Sequence, residues 1–229
     1  MIFKHDGPPK LRLGIVLAHE VDATTLIPEL IDGIFHRLSG LQACLGPLED
    51  GFRAVVRDVF RNGSYKPAGR AKPASEYLLR TAIEGEFPRI NTLVDCCNML
   101  SIQSLLPISI WDVDSSGADS FEFRLGGQSE SYVFNHAGHS IDLEDLIVGC
   151  SVEPNGISTP IVNPVKDSMG TKTSSSTLTV AAAVYAPLDD GPVASLVEVC
   201  ESFVRILGQS SGSAKAVFRI LKAGEQTKF

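Results

Sequence analysis

Several signals that would assign a function outright are missing from this chain. There is no Cys-x-x-Cys pair, so neither a zinc knuckle nor a dithiol redox centre is indicated. There is no Gly-x-Ser-x-Gly elbow, no Walker loop and no Gly-x-Gly-x-x-Gly fingerprint. No apolar run approaches the roughly 20 residues of a membrane-spanning helix, and the opening Met1-Ile-Phe-Lys-His-Asp-Gly-Pro-Pro has no apolar secretory stretch. Basic charge is in short supply: 20 Lys and Arg stand against 27 Asp and Glu, a formal net charge of −7. Broad electrostatic capture of DNA or of an anionic membrane is therefore not expected, because phosphate binding needs clustered Lys and Arg. The five cysteines, Cys44, Cys96, Cys97, Cys150 and Cys200, are odd in number and include an adjacent pair. Reduced thiols in a cytoplasmic protein fit that pattern best.

What is present is an ordinary globular composition, 229 residues with 44% hydrophobic and 21% charged, enough to bury a sizeable core without disulfide or metal staples. The apolar run Leu11–Ala18 reads as a strand buried on both faces. Thr24-Thr25 offer N-caps for an amphipathic helix to about Leu38, and a second helix is expected over about Leu48–Arg61. Pro73 suits the first turn of a third helix carrying Tyr77, Leu78, Ala82 and Ile83 inward. Asn91 to about Leu105 reads as a further helix. From Pro107 the periods shorten, and strands are expected at Ile108–Val113, Phe121–Leu125, Tyr132–Phe134, Leu146–Cys150, Ile157–Val162 and Thr177–Tyr185. Pro192 opens an amphipathic helix closed by Gly208, and Ala216–Leu221 reads as a last strand. The expected class is α+β, a mixed β-sheet structure flanked by helices from both ends of the chain. One domain over 1–229 accounts for it, with an N-terminal strand-and-helix section over 1–69, a core over 70–185 and a C-terminal helix and strand over 186–229.

Three groups of polar residues carry the functional reading. The loop from Gly63 to Pro73 is the most basic stretch of an acidic chain, and Lys66, Arg70, Lys72 and Arg80 are its candidates for an RNA or phosphate contact. At 100° per residue, Asn91, Asp95 and Asn98 share one stripe of a helix that is otherwise apolar nearly all round. Such groups must find partners, so the stripe either lines a polar pocket or anchors neighbouring backbone, with Asn91 as N-cap. The hydroxyl-rich run Thr171–Thr177, with Thr171, Lys172 and Thr173 at its start, faces the same pocket or is a plain loop. His136 and His139 form a His-x-x-His pair on a turn. A metal would need more ligands, for which Asp142, Glu144 and Asp145 are only nominal candidates, and no metal or other cofactor is expected.

The segment Arg89-Ile-Asn-Thr-Leu-Val-Asp95-Cys-Cys-Asn98, followed by Leu106-Pro-Ile-Ser109-Ile-Trp111-Asp112, resembles the editing region of the bacterial phenylalanyl-tRNA synthetase beta subunit, where the run reads V-V-D-x-x-N and then Q-P-x-H-A-F-D. Asp142-Leu-Glu-Asp-Leu-Ile-Val is similar to the D-P-E-D-L-V-I run of the same region, and Lys72-Pro73-Ala-Ser75-Glu76-Tyr-Leu-Leu-Arg80 to the R-P-S-x-E-x-L-x-R helix of its free-standing form. The resemblance covers about residues 70–185. It implies the α+β fold of that domain, built from the third and fourth B modules. It also implies a stand-alone, RNA-associated protein acting in trans on mischarged tRNA, with Asn91, Asp95, Asn98, Ser109, Trp111, Asp112, Thr171, Lys172 and Thr173 around the pocket. Ser109 stands where the synthetase has its histidine, and the run Lys166–Thr173 holds no glutamate at the family's place. No catalytic residue is therefore assigned. The alternative is a non-catalytic module that binds an amino-acid-like small molecule or a protein partner.

Overall fold

The structure, a computed structural model, is described for residues 1–25 and 47–229. The helix expected to run to Leu38 and Cys44 lie outside the described residues. The described chain forms three sheets and five α-helices. In chain order these are β1 (Ile2–His5), β2 (Leu11–His19), α1 (Pro47–Val59), α2 (Ala74–Ile83), α3 (Thr92–Ser104), β3 (Ile108–Asp112) and α4 (Val113–Ser116). There follow β4 (Ser120–Leu125), β5 (Ser131–Val133), β6 (Ser140–Asp142), β7 (Ile147–Val152), β8 (Ser158–Val162), β9 (Thr179–Pro187), α5 (Leu196–Gly208), β10 (Lys215–Lys222) and β11 (Gln226–Lys228). The architecture is mixed α+β. Among the described residues no helix is long and apolar enough to cross a membrane.

A four-stranded antiparallel sheet runs β10-β2-β9-β3, and a five-stranded sheet runs β11-β1-β4-β7-β8, with β1 parallel to β4 and its other pairings antiparallel. β5 and β6 form a small separate hairpin. Strands from the first 20 residues and the last 15 therefore form one side of both large sheets, and later-core strands form the other. β2 and β9 are central in their sheet, which is why both are apolar almost throughout.

The register decides what each face carries, because residues paired across strands share a face. Trp111 lies opposite Ala181, Ser109 opposite Ala183, and Leu13 opposite Tyr185. This face meets the five-stranded sheet. Trp111 lies 5.6 Å from the Phe121 ring and Tyr185 6.2 Å from Phe123, and Phe3 stacks on Phe121 at 5.1 Å. Alanines beside the indole and phenol leave room for the rings, and offset or edge-on ring pairs add about 0.5–1.5 kcal/mol each to their area burial.

The opposite face takes α3 and α5. Asn91 caps α3 by accepting from Val94 N at 3.0 Å, and Leu105 at φ +61° ends it. α5 starts at a capping box: Ser195 Oγ accepts from Glu198 N, and Glu198 Oε2 accepts from Ser195 N. The helix expected to open at Pro192 thus opens at Ser195, because two satisfied backbone donors outweigh the fixed φ of proline. Tyr77, expected inward, is 57% exposed. Ile83, also expected inward, is 38% exposed, and the buried residues of α2 are Ser75, Leu78, Leu79, Thr81 and Ala82, one side of a 3.6-residue period. Strands β1, β6 and β11 are too short to carry a periodic signal and were not expected. Cys96, Cys97, Cys150 and Cys200 are all buried free thiols. Burial pushes Cys96 up to about 12 and Cys97 well above the ordinary thiol value, so they behave as small apolar side chains.

Gly14 shows how closely α5 approaches the sheet. A Cβ there would lie 2.4 Å from Cys200 Sγ and 3.0 Å from a Leu196 methyl. Gly14→Ala is expected to lower the unfolding free energy by about 1–3 kcal/mol through overpacking. In a double-mutant cycle with Cys200→Ala, measured by urea denaturation, the two losses should be less than additive. Strict additivity would contradict the contact.

Candidate functional site

The loop from Gly63 to Lys72 is held by few but specific bonds. Ser64 N donates to Asp145 Oδ2 at 2.6 Å, and Tyr65 Oη donates to Ala71 O at 2.6 Å across the loop. Gly63 adopts φ +45°, and a Cβ there would lie 2.1 Å from Asp145 Oδ2, so both the backbone and the clamp need glycine. Beneath the loop lies a small second core of Leu143, Leu146, Val148, Cys150 and Val165, with Tyr65, Tyr132 and Ile141 packed on it.

Above this core, the loop, the β5–β6 hairpin and Lys166 enclose an open cleft of about 430 Å³. Lys66, Arg70 and Lys166 line it together with Asp142, Glu144, Ser64, Ser140 and Phe134. Lys66 and Arg70 are exposed and make no ion pair among the described residues. The Lys166 ammonium sits 4.0 Å from the Phe134 ring centroid, and Lys172 Nζ donates to Phe134 O at 2.8 Å. The cleft thus brings together two of the four basic candidates, Lys66 and Arg70. Lys72 does not line it. Arg80 lies elsewhere, over the Tyr77 ring at 5.6 Å and 4.0 Å from Glu84.

One wall of the cleft leads into a buried polar network. Tyr132 Oη donates to Lys166 O at 2.7 Å and accepts from Asn163 Nδ2 at 2.6 Å. Asn163 Oδ1 accepts from Val165 N and Lys166 N, which fixes the turn that presents Lys166. Asn163 O accepts from Ser109 Oγ at 2.9 Å, and Tyr185 Oη donates to Ser109 Oγ at 3.2 Å. The two oxygens of Asp167, beside Ser109, accept from Ile110 N and Asn163 N at 3.3 Å each. Part of the residue reaches solvent, yet its carboxylate is enclosed by protein atoms. Burial raises it to about 7 against the lowering effect of these hydrogen bonds and of the Lys172 charge.

The residues expected around a pocket are placed as follows. Asn91 Nδ2 donates to Thr173 Oγ1 at 3.1 Å. Asp95 is 4% exposed and accepts from Arg89 Nε and Ile90 N at 2.9 Å each. Asn98 is half-buried, and its side chain makes no hydrogen bond among the described residues. Asp112 caps α4 through Ser115 N and accepts from Thr177 Oγ1. Trp111 is 1% exposed between the sheets, and neither its indole N–H nor the buried Thr171 Oγ1 has a partner among the described residues. Asn91, Asp95, Asp112 and Thr173 thus anchor local backbone and one another, and do not converge with Ser109 or Lys172. His139 hydrogen-bonds to Asn135 at 2.9 Å, and among the described residues no group of His, Cys, Asp or Glu could hold a metal.

Sequence reasoning passed over Tyr132, Asn163, Lys166, Asp167 and Tyr185. One signal was available: a tyrosine inside the apolar run Val180–Ala186 must find a buried hydrogen-bond partner.

No family model matches the chain, and no curated protein does. Among solved structures, the chain is similar to the crystal structure of an N-terminal fragment of the phenylalanyl-tRNA synthetase beta subunit from Pyrococcus horikoshii. The TM-score is 0.42 at 13% identity, over 56% of this chain and 43% of that one. The chain spans less than half the length of that fragment.

The Asp167 network has a pH signature. Its carboxyl is raised in the fold above the unfolded value of 3.8, so the stability it contributes is fully present below that value and is lost as the pH rises through about 7. Asp167→Asn keeps the shape without the charge. Relative to the variant, the parent should melt at a progressively lower temperature between pH 5 and pH 8. Parallel pH profiles would show that Asp167 does not titrate in this range.

Proposed function

We propose that this chain is an RNA-associated binding domain that does not hydrolyse aminoacyl esters. The observation that carries the reading is the state of Ser109. It occupies the position where the resembling synthetase domain has its histidine, and it is 1% exposed with its hydroxyl proton held by Asn163 O. A general base must reach its substrate within hydrogen-bond distance, and Ser109 is sealed behind the junction of β3 and β8. Burial also raises Tyr185, the other hydroxyl at this point, well above its ordinary value, so neither oxygen is an activated nucleophile. Left open are two exposed cations of the loop, Lys66 and Arg70, which make no ion pair among the described residues, on an otherwise acidic protein.

Two measurements test this reading. Incubated with a panel of mischarged tRNAs, the protein should release amino acid no faster than a no-protein control. Hydrolysis above control that is abolished by Ser109→Ala would overturn the non-catalytic assignment. Fluorescence anisotropy with a labelled single-stranded acceptor-end RNA should show binding that weakens with salt. The log–log slope should be roughly −1.4 to −2.1 for two or three phosphate contacts, and Lys66→Glu/Arg70→Glu should reduce affinity by about tenfold or more. A flat salt response would remove RNA from the reading.

A further inference from the structure

We propose that the cleft between the 63–72 loop and the β5–β6 hairpin is a site for a phosphorylated ribose, which takes the phosphate on its cationic wall and the sugar hydroxyls on its acidic one. This rests on the reading above, in which the loop cations Lys66 and Arg70 meet the ligand, and deepens it. Lys66 and Arg70 come from one segment and Lys166 from another, and the three converge on about 430 Å³ without an ion pair among the described residues. Like charges gathered in one concavity favour an anion there. Their backbones are held in advance. The Ser64–Asp145 and Tyr65–Ala71 bonds fix the loop, and Asn163 and Tyr132 fix the turn at Lys166.

The same cleft carries Asp142 and Glu144. These carboxylates would repel a phosphate placed against them, so they orient the ligand: its anionic end lies at the lysines and its donor end at the acids. Asp142 Oδ1 already accepts from Glu144 N at 3.0 Å, which leaves Oδ2 and the Glu144 carboxylate with acceptor capacity. An ammonium donor would enter a cleft that holds three cations against two carboxylates, an unfavourable net potential. Neutral hydroxyls meet no such penalty. A ribose phosphate holds an anion and a vicinal diol at a fixed separation, and carboxylate recognition of ribose hydroxyls is a recurring arrangement. The 2′-hydroxyl also gives such a site a means to prefer RNA over DNA.

The test uses the full chain with defined probes in isothermal titration calorimetry: ribose 5-phosphate, 2-deoxyribose 5-phosphate and inorganic phosphate. Ribose 5-phosphate should bind at least about fivefold more tightly than either of the others. Lys166→Glu should abolish binding of all three, and Lys66→Glu, at an exposed position, should do the same independently, each variant being checked for an unchanged melting profile. Asp142→Asn/Glu144→Gln should retain phosphate binding while erasing the preference for ribose over deoxyribose. Equal affinities for the three probes in the parent protein, or binding unaffected by both lysine variants, would overturn the proposal. A second arm separates the sources of the ligand. A 5′-phosphorylated RNA dinucleotide that binds with the same sensitivity to Lys166→Glu places an RNA end in the cleft. Ribose 5-phosphate binding without dinucleotide binding supports the site while removing RNA association. RNA binding that is indifferent to both lysine variants keeps RNA association and overturns the cleft as its site.

Discussion

Two sheet edges meet at β3 and β8, and the polar seam between them is the constraint on which the rest of this structure depends. An edge strand presents backbone groups with no strand to pair with, and burying them unpaired would cost on the order of 1–3 kcal/mol apiece. Here Asp167 takes the amides of Ile110 and Asn163, and Ser109 takes the Asn163 carbonyl. One side chain from each edge region thus replaces a stretch of missing ladder. The seam lets the two sheets come together at one margin while Phe3, Trp111, Phe121, Phe123 and Tyr185 fill the space between them.

The seam and the cleft are one mechanical unit. Asn163 serves both, with its carbonyl on Ser109 and its side chain on Tyr132 and the amides of Val165 and Lys166. Lys172 adds a second strut, because its ammonium holds the Phe134 carbonyl of the hairpin while its charge acts on Asp167. The cleft cations are therefore presented from backbone that is rigid for reasons of core packing, and little ordering is left to be done when an anion arrives.

The central strands were legible because burial on both faces leaves a continuous apolar run, as in Leu11–Ala18 and Thr177–Tyr185. The Asn91 cap of α3 and the mixed α+β class were legible for similar reasons, since capping and periodicity are local. What was not legible is long-range. Asp167 sits in a Pro-containing loop with nothing local to mark it, and the Ile110 amide it takes and the Ser109–Tyr185 pair beside it come from strands far away in the sequence. The polar stripe of α3 was visible, but whether Asp95 faced a pocket or an arginine was decided by Arg89, six residues earlier. The loop cations were visible as a run. Their selection was not, because Lys72 and Arg80 are neighbours of Lys66 and Arg70 in sequence yet only the latter pair meets Lys166.

The interleaving of early and late strands in both sheets sets a timetable for biosynthesis. β2 is translated well before its neighbours β9 and β10, and β1 waits for β4 on one side and β11 on the other. A chain emerging from the ribosome therefore carries the apolar strand β2 unpaired until β9 has been made. Neither sheet can close until β10 and β11 have been made, and such exposed strands are the species that aggregate or recruit chaperones.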